Sequence, residues 1–469
     1  MNFASLNFWI ILISCFIGSR VLLWLTVKWA REREEVVAKI CLLATAIILL
    51  ASESWLTLGA FSWVISFGWI AIWTGRLNLR LKSFFFCGLL LAQLAPLIYF
   101  KYWNFFFNEI LDLDWRIPSV LIPMGLSFYT FQTISFWIDT QRNRERPPAF
   151  LDFLNFCSFF PQIVAGPIER REDLLPQIQK TRFRLDLSAL DEALRWIILG
   201  LGYKLIVADN LGNLSPLLKI QPDNAFHVWF ECLVFGLRIY FDFAGYSFIA
   251  VGLGLLFGVR LTLNFLSPYW SLDLREFWRR WHVSLGSWLR DYVYLPLGGR
   301  RNRWIINTLI VFIVSGIWHG AGWGFLIWGL LHGVGIVACG LGGPLRLPDL
   351  VKRAFTFTYA IGIWLFFFEQ NTGLMLKKAI SMINPYAYFP DKAKALPAVF
   401  SSPSDAVTVA LILILAFIAL GSEGLEFRKK LGANEPYRQL RKTPVILMIV
   451  ILTVWLAPTE ESSFIYFNF

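Results

Sequence analysis

Three of the chain's four histidines fall between Phe277 and Gly333, in a stretch that opens FWRRWHVSLGSWLRDYVYLPLGG and runs through GIWHGAGW to His332. Imidazole is the side chain best matched to proton transfer near neutral pH, so chemistry is sought here first. His319 sits between Trp318 and Gly320 at the end of an apolar run. In an apolar cavity a neutral imidazole accepts a proton from a hydroxyl or thiol, whereas a plain interhelical hydrogen bond is the structural alternative. Projected as one helix at 100° per residue, Arg275, Arg279, His282, Gly286 and Arg290 share a face within about 80°, and Phe277, Trp278, Trp281, Leu285 and Trp288 share another. The first face is a cationic strip suited to phosphate or pyrophosphate, because the guanidinium fork bonds two oxygens at once. Arginines that only mark a cytoplasmic interface are the alternative, and the preferred reading for Arg280 and Arg300–Arg303. His332 lies about 220° round a helix from His319 and is predicted not to share its site. His227 is given no role.

A further polar string, Arg238, Tyr240, Asp242, Tyr246 and Ser247, interrupts another apolar run. Ionisable groups in such a run face a cavity or a partner, and an Arg238–Asp242 pair at i,i+4 is the structural version. No Walker sequence, HExxH, dinucleotide fingerprint or serine elbow is present in a suitable context. The six cysteines stand singly in apolar segments, which implies neither a metal site nor a disulfide framework. Chemistry therefore rests on histidine.

The elements that must position these groups are membrane helices. Hydrophobic residues make up 57% of the 469 and charged residues 16%, with a mean hydropathy of +0.57, which excludes an ordinary soluble protein. The net charge of +11 comes in short Lys/Arg clusters between apolar runs, a positive-inside pattern rather than a nucleic-acid stripe. The predicted fold class is an all-α polytopic membrane protein of about ten to twelve transmembrane helices with re-entrant or half-buried segments. The N-terminus reads as a retained first helix, not a signal peptide. The segment Phe150–Ile168, broken by Pro161, Gly166 and Pro167 and flanked by basic charge on both sides, reads as a re-entrant loop, with a kinked spanning helix as the alternative. Leu261–Arg303 reads as a half-buried cytoplasmic element. Met375–Asp405 reads as a polar outer loop, although Lys377, Lys378, Lys392 and Lys394 conflict with that side. The tail from Ala457 to Phe469 is predicted outside.

The pieces PMGLSFYTFQTISFWID, FCSFFPQIVAGPIERREDLLPQI, YFDFAGYSFIAVG, NFLSPYWSLDLREFWRRWHVSLGSWLRDYVYLPLGG and GIWHGAGWGFLIWGLLHG together resemble the membrane-bound O-acyltransferases, in particular the bacterial group that acts on alginate and teichoic acids. The resemblance covers most of the chain and implies one domain over 1–469. Its parts are peripheral helices to about 115, a core of about 116–342, further helices to about 457 and an extracytoplasmic tail, 458–469. It also implies catalytic His319 at the base of a funnel open to the outside, and His282 toward the cytoplasm. The implied donor is a cytoplasmic acyl thioester, acetyl-CoA or a phosphopantetheine-bearing carrier protein, entering a tunnel; the cationic strip makes Arg275, Arg279 and Arg290 the candidate donor-binding residues, and Trp281, Trp318, Asp242 and Tyr246 are candidates for the tunnel lining. No permanent cofactor and no metal are implied.

RDYVYLPLGG looks like the alginate type and favours acetyl transfer to an exopolysaccharide, while Phe248, where that type usually has Asp, looks more like the D-alanyl transferases. The ending FIYFNF resembles one that recurs in this group, which implies Tyr466 presented to His319 as an acyl relay to an extracytoplasmic acetyltransferase or esterase-like partner; interfacial anchoring by the aromatics is the alternative. The implied setting is multi-pass in the inner, plasma membrane, in contact with lipid and polysaccharide and without nucleic acid. A polysaccharide or acyl-donor transporter is the competing class.

Overall fold

The computed structural model describes residues 3, 5–74, 79–117, 121–163, 166–182, 187–343, 346–389, 391, 399–428, 436–458 and 464–468. Among these the structure is helical, with one isolated antiparallel bridge, Phe265 to Trp281. Nine described helices are long and apolar enough to cross a bilayer, and two shorter apolar helices, Trp304–His319 and Thr443–Leu456, accompany them. The chain is an all-α, multi-pass membrane protein.

Two compact units divide the chain. The first comprises Met1–Ile197 and Ser247–Leu263. It begins with α1 (Leu6–Trp29), α2 (Glu34–Glu53), α3 (Trp55–Trp73), α4 (Leu79–Leu97) and α5 (Leu126–Arg142). Next come α6 (Phe150–Ser158) and α7 (Phe160–Ile163), then α8 (Arg171–Gln179) and the start of α9 (Leu187–Leu201). The 9 residues of α6 rise about 14 Å and the 4 of α7 about 6 Å, far short of the ~30 Å hydrocarbon core. Phe150–Ile168 is thus not one kinked spanning helix; Val164 and Ala165 lie outside the described residues. Phe248 is fully buried in this unit, its ring 5.3 Å from that of Trp196.

The second unit comprises Ile198–Tyr246 and Asn264–Phe469. A π-helical turn, Gly202–Ala208, leads into α10 (Asp209–Leu214). There follow α11 (Ala225–Leu256), α12 (Leu274–Arg280), α13 (Val283–Leu289), α14 (Trp304–His319), α15 (Trp323–Leu341), α16 (Asp349–Ile363), α17 (Leu365–Phe368) and α18 (Thr372–Ile383). After these stand α19 (Pro403–Arg428), α20 (Thr443–Leu456) and a 3₁₀ turn, Ile465–Asn468. Two expectations are corrected here. Met375–Asp405 is not simply a loop, because its first third is α18. The Lys378 in that helix is no free interfacial charge either: it is buried, with Nζ 2.8 Å from Glu231 and 2.9 Å from Glu369. A lysine shared by two carboxylates carries no topological signal, so its conflict with an outer location disappears. Lys392 and Lys394 lie outside the described residues.

Helices α14 and α15 form an extensive antiparallel contact on small residues. A Cβ on Gly329 would strike the Phe312 carbonyl, and Gly316 faces Phe325 and Gly329 in the same way. Close backbone approach of this kind replaces hydrophobic drive between helices in lipid. It turns His319, at the last position of α14, toward Trp328 of α15.

Candidate functional site

The single-helix projection of Arg275–Arg290 fails at its middle. The α12 helix begins with a reciprocal cap, Asp273 accepting from the Glu276 amide at 2.8 Å and Glu276 accepting from the Leu272 amide at 2.7 Å. It ends at Arg280, and His282 takes φ +45°, a left-handed conformation that non-glycine residues rarely adopt. The cause is a short extended pairing. Leu266 N donates to Arg280 O, Val283 N to Asn264 O, and Asn264 Oδ1 accepts from both the amide and the hydroxyl of Ser284, at 3.2 and 2.7 Å. Buried Asn264 thereby competes successfully with the helical ladder.

The break separates the cations from the imidazole. Arg279 is exposed, Arg275 is half-exposed beside Asp273 at 3.1 Å, and exposed Arg290 is paired with Asp291 at 2.7 Å. They do not share one face with His282. Arg280 pairs with Glu276 at 2.9 Å and donates to the Leu266 carbonyl, a structural bond. His282 itself is 1% exposed and packs edge-on against Phe243 at 4.7 Å and Trp318 at 5.8 Å. Burial pushes its pKa down from 6.5 to about 3, so the ring is neutral.

His319 is 2% exposed and is ringed by Trp318 at 4.8 Å, Trp328 at 4.9 Å, Phe367 at 5.2 Å and Tyr466 at 5.5 Å between centroids. His282 and His319 come together although most of a helix, Trp304–His319, lies between them in the chain. Both flank the indole of Trp318. Phe243 closes the circuit, touching His282 on one side and Tyr466, at 4.5 Å, on the other. The Tyr466 hydroxyl is inaccessible to solvent, and burial, aided by nearby Tyr269 and Asp242, holds it well above the usual phenol range. Phe469 of the tail lies outside the described residues.

Trp281 is 1% exposed and packs among Tyr240, Phe265, Tyr269, Phe277 and Trp364. His332 accepts a hydrogen bond from Trp278 Nε1 at Nδ1, 3.2 Å, and packs edge-on against Trp328, which His319 also touches. His227 is fully buried and accepts from the Gln221 amide at 3.3 Å.

Asp242 pairs with Lys204, not with Arg238, with Nζ 2.9 Å away; the same ammonium is 2.6 Å from Asp209. Sequence reasoning missed Lys204 and Asp209. Their signal was available, since a lysine and an aspartate inside an apolar run are costly without partners. What could not be read was their meeting. Residues i and i+5 approach each other on a π turn, not an α turn, and Lys204 and Asp209 are so spaced. Gly245 lets α11 lie on that turn, because a Cβ there would sit 2.8 Å from Gly200 O and 3.1 Å from Lys204 N. Above Asp242, Tyr246 meets the ring of Phe464 at 4.2 Å.

The family model of the membrane-bound O-acyltransferases matches residues 141–376. Over 435 residues the chain is 31% identical to the peptidoglycan O-acetyltransferase of Helicobacter pylori, with 81% of each chain covered. It is 32% identical over 417 residues to a protein of Pseudomonas putida named "Probable alginate O-acetylase", covering 81% of this chain and 83% of that one. It is similar also to the teichoic acid D-alanyltransferase of Streptococcus thermophilus, at 32% over 236 residues, 47% of this chain and 57% of that relative.

Proposed function

The chain belongs to the membrane-bound O-acyltransferase family, and on that premise we propose that it moves an acetyl group from a cytoplasmic thioester donor across the inner membrane for O-acetylation of an extracytoplasmic polysaccharide. The observation that carries this reading is the contact of the Tyr466 ring with His319. A phenol with so high a pKa is not a nucleophile unaided, and a neutral imidazole beside it supplies the base.

In the proposed step, His319 takes the phenol proton as the Tyr466 oxygen attacks the thioester carbonyl. The C–S bond breaks, the imidazolium returns the proton to the leaving thiolate, and Tyr466 carries an acetyl ester. A hydroxyl of an extracytoplasmic acetyltransferase or esterase-like partner then takes the acyl group by the reverse sequence at the same imidazole. His282, neutral and in contact with Trp318, is assigned to the donor arm as a hydrogen-bond acceptor. Arg275 and Arg279 are assigned to donor phosphates, from acetyl-CoA or a phosphopantetheine-bearing carrier protein. The tail is extracytoplasmic in this reading.

Acetyl is favoured because the relatives matched over four fifths of the chain carry O-acetyltransferase or O-acetylase names. D-alanyl transfer is the second reading, and Phe248 is the residue that favours it. The test is the ester content of secreted polymer, identified by mass after mild base release, in wild type and His319→Ala. Acetate lost in the variant supports the proposal. Alanine released instead selects the second reading, and ester at wild-type level in His319→Ala, as a transporter would give, removes the assignment of His319.

A further inference from the structure

We propose that the buried Lys204–Asp242 pair is a clamp for the C-terminal tail, which it grips by the peptide N–H of Ile465 and so sets Tyr466 against His319. This rests on the tail reading above, in that it explains how the proposed relay residue is held.

Lys204 is 0% exposed and Asp242 3% by side chain. One oxygen of Asp242, Oδ1, faces the ammonium at 2.9 Å, while the other, Oδ2, accepts from Ile465 N at 2.7 Å. The short distance is that of a bond to an ionised acceptor, roughly twice as strong as a neutral one. Lys204 stands against the carboxylate and is itself seated by Asp209. Phe464 and Ile465 are 0% and 2% exposed, and Phe464 rests on both Tyr246 and Phe243.

A pair that served only to join helices would spend its acceptors on the helices. This one spends half of its carboxylate on a segment from the far end of the chain. A backbone donor also suits positioning. The grip on Ile465 N is blind to side-chain identity and fixes the main chain one residue before Tyr466, so the phenol ring follows from register. Asp242 is therefore a positioning residue, acting through the tail rather than on substrate.

The tail offers a test that spares the fold. Ile465 opens the 3₁₀ turn, a position where proline's φ is compatible; the substitution removes the N–H and trims the buried side chain, so Ile465→Ala, which keeps the N–H, is the packing control and is expected to be cut more slowly than Ile465→Pro. Chymotrypsin cleavage after Tyr466, followed by intact mass on the purified full-length protein in detergent, reads how firmly the tail is seated. Ile465→Pro is expected to be cut about tenfold faster than wild type, and Ile465→Val, which keeps the N–H, at the wild-type rate, with the unfolding temperature of both unchanged. Asp242→Ala should match Ile465→Pro. Cleavage of Ile465→Pro at the wild-type rate overturns the clamp. Faster cleavage with polymer esterification still at wild-type level upholds the clamp and instead sinks the Tyr466 relay.

Discussion

The ring of Tyr466 stands 5.5 Å from that of His319, and both touch Phe367, so the end of the chain closes on the histidine of the WHG motif. The arrangement makes the tail part of the site rather than an appendage, and the effects of substitution follow from it.

His319→Ala removes the only imidazole in contact with Tyr466 among the described residues. If His319 is the general base proposed above, the substitution is expected to lower polymer esterification by roughly 100- to 10,000-fold. The protein should still insert and elute as wild type on size exclusion, since a small residue at a helix end removes no buried ion pair.

Tyr466→Phe keeps the ring packing on Phe243 and Phe464 and deletes only the hydroxyl. Under turnover the wild-type C-terminal peptide should gain the mass of one acyl group and the variant none, with activity lost. Full activity in the variant would leave the tail as an interfacial anchor.

Donor affinity separates the three arginines. On the proposed function, Arg279→Ala is expected to weaken binding of the thioester donor roughly tenfold, as loss of a charge-assisted bond to phosphate does. Arg275, paired with Asp273, and Arg290, paired with Asp291, should change it less. Binding titration of a non-hydrolysable donor analogue at two salt concentrations is the measurement, and equal effects at all three positions would contradict the geometry.

Stability should fall on the acid side through His282, which lies outside the candidate membrane spans. Its folded pKa of about 3 is below the ordinary 6.5, so the unfolded chain binds the proton more readily between those values. The contribution is fully present above about pH 6.5 and is lost as pH drops toward 3, by up to about tenfold in the unfolding constant per pH unit. Thermal unfolding of His282→Asn, a residue tolerant of positive φ, should show a flatter profile in that window.

Lys378→Met strands Glu231 and Glu369 together in a half-buried place, and a loss of up to about 3 kcal/mol is expected. Replacing all three by apolar residues should recover most of it, as measured by denaturant titration in detergent.

The sequence by itself determined the helical membrane class and the family, because hydropathy and motif are local properties that survive any packing. It also exposed Tyr466 as a hydroxyl among aromatics. The cationic strip was misjudged because periodicity assumes that a helix continues, and nothing near Trp281 announces that Asn264, from a separate segment, breaks the ladder and turns His282 inward. The pairing of Asp242 was misjudged for a similar reason: i,i+4 spacing favoured Arg238, whereas a π turn and the glycine at 245 brought Lys204 closer. Tertiary structure alone decided that both histidines flank Trp318 and that Ile465 is held by Asp242. In a low-dielectric interior, buried polar groups take whichever partner the fold delivers at hydrogen-bond distance, and that partner is seldom the nearest in sequence.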